Sequence, residues 1–586
     1  MRALSLAITL VLSALPANAS HAQDAEPDSA PRAVRRPVTT GRSMVATKFG
    51  IVASSQPLAA RAGTQVLENG GNAIDAAIAA SAAIALMEPA SNGVGGDLFA
   101  MVYTASDGKL VGLNSSGWAA SGLTPELLAS KNVTRMPSRG AYTVTVPGLV
   151  AGWQAMRDRY GRLPLSTSLA PAIHYAENGF PVTEIVAGLW RNGEARLASH
   201  PNSRETYLPA GRALREGEIF RNPGLGRVLR RVADRGRDGF YRGETADAIV
   251  AILRENGGTM TAADLAEFKP EWVTPIHTTY RGWTVYEMPP QGAGIAALEM
   301  LSIMEQYPLR EWGFHSAKTL HVMIEAKKLA YADMLRYIGD PAFGKIPVEQ
   351  LLAKTHAASR AALIDPTKAA CRVDPARLDG VSDSEGNETI YLSVVDRDGN
   401  IVSLIQSIYS EFGSGLVPKG MGFMLHNRGA LFTLTPNQAN TLAPRKRPLH
   451  TIIPAFMEKD GVRIGFGIMG GWNQPVAHAQ FVANVADYGF SIQEALEAGR
   501  LTKTSFQGCD VSVEHLIPEA VRAELTALGH QIRVPRPRSG TFGWGQAVMR
   551  DTSGVNFGAS EPRHDGMAVP EAPPLPRPGA AVRPPR

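Results

Sequence analysis

The sequence predicts an α+β protein, on three observations. Two β-rich runs, Thr389 to Val395 and Ile401 to Ser407, flank Asp398-Gly399, a strong hairpin signal because both turn residues tolerate positive φ. Helical patterns cover Ser54 to Gly70, with Leu58, Ala62, Val66 and Leu67 on one face, and Asn72 to Met87. Between Met136 and Tyr337 the pattern is mostly helical, with Pro and Gly at the connections.

In chain order, residues 1–22 read as a signal peptide. Arg2 precedes an apolar run to Leu15, followed by small-residue sites at Ala17-Asn18-Ala19 and Ser20-His21-Ala22. The run is too short to span a bilayer and no later stretch is long and apolar enough, so the expectation is an exported protein, periplasmic or secreted, without a stable membrane anchor. Residues 23–43 form a flexible leader. The first helix stops at Gly70-Gly71. The second is so rich in alanine that it should be central and buried. Gly93-Val94-Gly95-Gly96-Asp97 then breaks the chain before a strand from Leu98 to Tyr103. No Lys-Ser or Lys-Thr follows this break, so it reads as a tight turn and not a P-loop.

On the helix ending at Tyr337, Glu325 and Asp333 stand eight residues apart, about 12 Å along the axis. That is too far for a shared proton, and with Lys327, Lys328 and Arg336 nearby the two read as solvated helix charges. Residues 365–388 look mobile. Cys371 and Cys509 are the only cysteines; spacing alone neither pairs them nor makes a metal site. The tail, 572–586, is Pro-rich and reads as disordered. A net charge of +5 over 586 residues, with no basic and aromatic cluster, gives no nucleic-acid footprint.

With Asp398 and Gly399 as the turn, Thr389 falls beside Ile408, and the Ser407 backbone lies within one residue of it. The run Thr389 to Asn400, then Phe412-Gly413-Ser414-Gly415, Arg447-Pro448-Leu449 and Gly470-Gly471 resemble, in order and spacing, the gamma-glutamyltransferase family of N-terminal-nucleophile hydrolases. The resemblance extends through Gly70 to Asp75, Val146-Pro147-Gly148, Tyr160 to Pro164, Ala176 to Pro181 and Gly339-Asp340-Pro341, and covers roughly residues 44 to 565. It implies a four-layer α-β-β-α sandwich made from one precursor that cuts itself between Glu388 and Thr389. The large chain would be 44–388 and the small chain 389–571. A Thr hydroxyl needs a base to act as nucleophile, and the α-amine exposed by the cut supplies one, with an ordinary pKa of about 8. No cofactor or metal is implied.

The same resemblance assigns Thr389 as nucleophile, Ser407 as the hydroxyl bonded to it, and Gly470 and Gly471 as N–H donors to the oxyanion. The family's acyl-pocket positions fall on Ser116, Tyr409, Leu431, His450 and Thr451. Ser116 stands where an Arg would hold a substrate α-carboxylate, and Leu431 where an acid would hold the α-amine. With both charged clamps missing, an acyl amide, glutaryl-like or other, fits better than a gamma-glutamyl substrate. Arg428 is a candidate clamp for an acyl carboxylate.

Gly465 to Gly470 also matches G-x-G-x-x-G. Pro475 follows at once, however, and Asp487 falls inside an expected helix and not at a strand end, so a dinucleotide site is rejected. No H-E-x-x-H and no G-x-S-x-G occurs. Of His450 and His478, only His450 lies in a segment the family uses for substrate contact. Three functions remain open: an acylase or amidohydrolase, a true gamma-glutamyltransferase or glutathione hydrolase, and an exported binding protein that has lost processing.

Overall fold

The computed structural model describes residues 41–376, 389–503 and 505–574. The segments 1–40, 377–388 and 575–586 and residue 504, and with them the signal peptide, most of the leader, Glu388 and most of the tail, lie outside the described residues.

Two seven-stranded sheets face each other. The first runs, edge to edge, Met567–Pro570, Ile51–Ser54, Ile390–Val395, Ile401–Ser407, Asp97–Thr104, Lys109–Ser115, Glu271–Val273. The second runs Val45–Thr47, Asn556–Ser560, Gly545–Arg550, Val462–Ile468, Ala455–Lys459, Trp283–Glu287, Ile276–Tyr280. Strand side chains alternate between faces. Ile390, Leu392 and Val394 therefore join the core under helices Pro57–Glu68 and Ala73–Met87, while Tyr391 and Val395 join Phe99, Ile405 and Phe456 between the sheets. Helices Gly294–Met304, Ala317–Tyr337 and Gln474–Ala486 cover the other sheet. This is the four-layer α-β-β-α sandwich.

The alanine-rich helix is buried along its whole length. Asn72 and Asp75 form a capping box at its start, and the Ala73 N–H reaches Asp396 Oδ2 at 2.9 Å, tying the helix to the hairpin turn. The G-x-G-x-x-G run is a packing device. A Cβ on Gly467 would lie 2.4 Å from the Tyr391 ring, and one on Gly465 2.8 Å from Ile401 Cγ2, so these glycines let the sheets close on each other. Asp487 caps the C-terminus of its helix.

Four expectations change. The hairpin register is shifted by one residue: Ile390 pairs with Gln406, which sets Thr389 opposite Ser407. The cause is Asp396, whose Oδ1 accepts the N–H groups of Asp398 at 3.0 Å and Asn400 at 2.9 Å. The loop closes over Arg397, Asp398 and Gly399, with Gly399 at φ +91°. Secondly, the stretch read as mostly helical contains strands Glu271–Val273, Ile276–Tyr280 and Trp283–Glu287; the clue was Arg281-Gly282, both at positive φ in a two-residue turn.

Thirdly, Glu325 and Asp333 are not solvated. Both are buried; Lys328 Nζ is 2.6 Å from Glu325, and Arg360 Nε is 3.0 Å from Asp333. Finally, 365–376 is fastened down. Ala370 N–H donates to Glu325 and its carbonyl accepts from Lys328; Arg360 donates to the Asp374 carbonyl, and Ala376 N–H to Asp333. Cys371 is disulfide-bonded to Cys509.

Candidate active site

The corrected register produces a row of polar positions. Thr389 lies opposite Ser407, Ser407 pairs with Asp97, and Ser116 continues the Leu98–Ser115 pairing by one step. Residues directly opposite across strands share a face, so Thr389, Ser407, Asp97 and Ser116 form a line at one end of the first sheet, on its inward side. All four are buried. Glycine permits this crowding: a Cβ on Gly96 would sit 2.2 Å from the Ser407 carbonyl oxygen.

Asp97 is the hub that the sequence did not announce, since it looked like the end of a glycine turn. Its Oδ2 lies 3.0 Å from Arg428 Nε, 3.1 Å from His426 Nδ1 and 3.1 Å from His450 Nε2, and its Oδ1 accepts Gly117 N–H at 3.4 Å. Burial works against its charge, but His426 and His450 outweigh it and hold the carboxyl well below the usual range. His450 is pushed down to about 3 by burial and by Arg428, and its ring lies 4.6 Å from that of Phe99. Arg428 Nη1 donates to Thr451 Oγ1 at 2.8 Å, and its Cζ lies 4.7 Å from the Tyr409 ring centre. Its Nη2 is buried with no hydrogen-bond partner.

Tyr409 is held at φ +75° with its N–H on Ser407 Oγ at 2.7 Å. Ser116 Oγ accepts from Gln291 Nε2 at 3.0 Å, and its carbonyl from Arg447 Nε at 3.0 Å. Gln291 and Arg447 thus hold Ser116 in place; Arg447 lies in a motif that carried the resemblance, whereas nothing in the sequence pointed to Gln291. Leu431, like Tyr409, belongs to the apolar core cluster with Leu449 and Ile453.

Gly470 and Gly471 follow the strand that packs through Gly467 on Tyr391, and so continue toward the end of the sandwich where Thr389 lies. Gly470 has φ +129° and ψ 36°, Gly471 φ +58°, conformations that favour glycine. His478, pushed down to about 3 by burial, accepts the Ile468 N–H at 3.0 Å and holds Glu287 at 2.7 Å. It braces the strand before Gly470 from the core side.

Two other clusters, His321 with Glu325 and His530, and Glu299 with Asp333 and His356, have metal-ligand chemistry. Each already contains a cationic side chain on its carboxylate, Lys328 in one and Arg360 in the other, and a metal would have to displace it.

A doubled-sheet sandwich with a threonine at the open end of a central strand, across from a serine, has the architecture of an N-terminal-nucleophile hydrolase. Comparison with known proteins narrows this class. The pattern of the family described as Gamma-glutamyltranspeptidase matches residues 59–571. The chain is 36% identical over 535 residues to the glutathione hydrolase-like YwrD proenzyme of Bacillus subtilis, covering 90% of this chain and 99% of that one. It is 35% identical over 531 residues to the oxamate amidohydrolase proenzyme of Klebsiella pneumoniae, covering 89% and 98%. Among solved structures, the cephalosporin acylase of Bacillus halodurans superposes with a TM-score of 0.85 at 42% identity, over 92% of this chain and 99% of that one. The chain belongs to the gamma-glutamyltranspeptidase family and is an enzyme of that family. Among its described residues no helix is long and apolar enough to cross a membrane.

Proposed function

We propose that the protein is an exported proenzyme that cuts itself before Thr389 and then hydrolyses an acyl amide lacking a free α-amino acid head. The Thr389 hydroxyl attacks the amide carbonyl while its own α-amine takes the proton. Gly470 and Gly471 receive the oxyanion. The C–N bond breaks as the amine returns the proton to the leaving nitrogen. Water, deprotonated by the same amine, then releases the acid and restores the hydroxyl. Residues 1–22 direct export, and 44–388 and 389–571 become the two chains. Cys371 precedes the cut and Cys509 follows it, so the bridge between them keeps the two chains joined.

The observation carrying this reading is the makeup of the buried row beside Thr389. Arg428 offers a free donor there, whereas among the described residues of this row the one carboxylate, Asp97, already faces Arg428, His426, His450 and Gly117, and Leu431 is core. The names of the relatives, which include hydrolases of amides and an acylase, agree with it. The test is turnover of glutaryl against gamma-glutamyl p-nitroanilide by the cut enzyme. The expected result is kcat/KM favouring glutaryl by about tenfold or more. The reverse order would support a glutathione hydrolase, and an uncut, inactive chain a binding protein.

A further inference from the structure

Two central strands of the second sheet separate where the site begins. Ala455 pairs with Phe466, and the same register carried further would set Ile453 opposite Ile468. Pro454, which has no N–H to offer, stands between and ends the ladder. The Met469 N–H reaches the Trp544 carbonyl on the far side at 3.0 Å, so the Ile468 N–H points the other way, toward Ile453. The two do not pair. The Ile468 N–H donates to His478 Nε2 at 3.0 Å, and the Ile453 N–H donates to Gln474 Oε1 at 3.1 Å. Gln474 and His478 stand one turn apart, and so on one face, of the helix Gln474–Ala486 that follows Gly471.

The same contacts fix the tautomer of His478. A main-chain N–H can only donate, so Nε2 carries a lone pair and the proton of the neutral ring sits on Nδ1, 2.7 Å from Glu287 Oε1. Glu287, Gln474 and His478 are all buried. The separated strand ends carry the site: Gly470 and Gly471 continue from Ile468, and His450 and Thr451 lead into Ile453. We propose that Gln474 and His478 are positioning residues of the reaction, wedged between the two strand ends so that the oxyanion glycines and the acyl pocket stand a fixed distance apart, with Glu287 holding the His478 ring in its accepting tautomer. They act through the main-chain N–H groups of Ile453 and Ile468 and not through contact with substrate. The inference deepens the acylase reading and rests on it for the roles of Gly470 and Gly471.

The test joins hydrogen–deuterium exchange of the purified protein to kinetics on whichever of glutaryl and gamma-glutamyl p-nitroanilide the wild type turns over. His478→Leu removes the acceptor at Ile468. Gln474→Met, closer in volume, removes the one at Ile453 and is the second variant should the first not fold. Either is expected to speed exchange in peptides from 468–473 by about tenfold or more. Each should also lower kcat per cut molecule by about 10- to 100-fold, with KM within about twofold of wild type. His478→Gln, which keeps an acceptor for Ile468 and a donor for Glu287, should restore kcat to within about threefold. A folded variant with unchanged exchange at 468–473 overturns the proposal, as does one with wild-type kcat per cut molecule, the result of a merely structural role that lowers only the melting temperature and the fraction cut. A His478→Gln as impaired as His478→Leu overturns it too. If the wild type neither cuts itself nor turns over amides, the acylase reading fails, and exchange at 468–473 still decides whether the brace exists.

Discussion

Asp97 and Asp333 are both fully buried aspartates, each facing an arginine and at least one histidine, yet their surroundings end differently. Around Asp333 the carboxylate oxygens are taken by Arg360, His356 and the Ala376 N–H, and what they hold is the chain's own segment leading toward the cut. Around Asp97 the network stops at Arg428 Nη2, a buried donor with nothing to donate to. Buried charge by itself marks neither catalysis nor stability. Arg360 Nε also lacks a hydrogen bond, but it lies 3.0 Å from the Asp333 carboxylate; a buried donor that faces no carboxylate at all, as Arg428 Nη2 does, is what sets the Asp97 network apart from a clamp on the protein itself.

The largest expected effect separates the regions outright. Thr389→Ala should abolish both self-cleavage and amide turnover, read on a denaturing gel and by p-nitroaniline release, while leaving the melting temperature within a few degrees of the uncut precursor's. Next, Gly470→Ala would force a side chain into φ +129° and, on the proposed mechanism, disturb an oxyanion donor, lowering kcat by about 10²- to 10³-fold. Asp333→Ala acts on the other region. It leaves the buried Arg360 without its carboxylate and His356 with Glu299 alone, and should cost about 3 to 5 kcal/mol of stability, measured by urea unfolding, without changing the ratio of glutaryl to gamma-glutamyl turnover. A shifted ratio would mean the clamp and the site are coupled.

A smaller effect sharpens the contrast in pH. Burial opposes charge on His356, but Asp333 and Glu299 outweigh it and hold the imidazolium up to about 9. The folded-state value is above the unfolded one, near 6.5, so His356 stabilises fully below about 6.5 and this contribution disappears as pH rises through about 9. Melting temperature should fall across that window, and His356→Gln should flatten the fall. At the Asp97 site His450 is pushed down to about 3, below its unfolded value near 6.5; its contribution therefore rises with pH through about 6.5 and is flat well above that, opposite in sign to His356.

The two regions were unequally legible in the sequence. The hairpin, the buried alanine helix, the Gly470-Gly471 turn and the sandwich could be read from turn chemistry, periodicity and resemblance. The register could not, because the Asp-Gly pair fits a two-residue turn, and only the Asp396 side chain, folded back on Asp398 and Asn400, selects the three-residue loop. Glu325 and Asp333 misled because periodicity on one helix does not reveal what covers its polar face; here that cover is 365–376, brought in from beyond the helix and pinned by Cys371. Asp97 was hidden for a similar reason. Its partners come from Gly117, His426, Arg428 and His450, far apart along the chain, and no local spacing links them.

The central claim is that Thr389 becomes a new N-terminus. The direct measurement is N-terminal sequencing of the smaller fragment released when the purified protein is run under reducing conditions, beside an unreduced sample with its thiols blocked. The account predicts a fragment that begins Thr389-Ile390-Tyr391 and appears only after reduction, because the Cys371–Cys509 bridge spans the cut. A fragment already free without reductant would remove the covalent link alone. An intact chain under both conditions, or a fragment beginning elsewhere, would contradict the claim that Thr389 is the nucleophile.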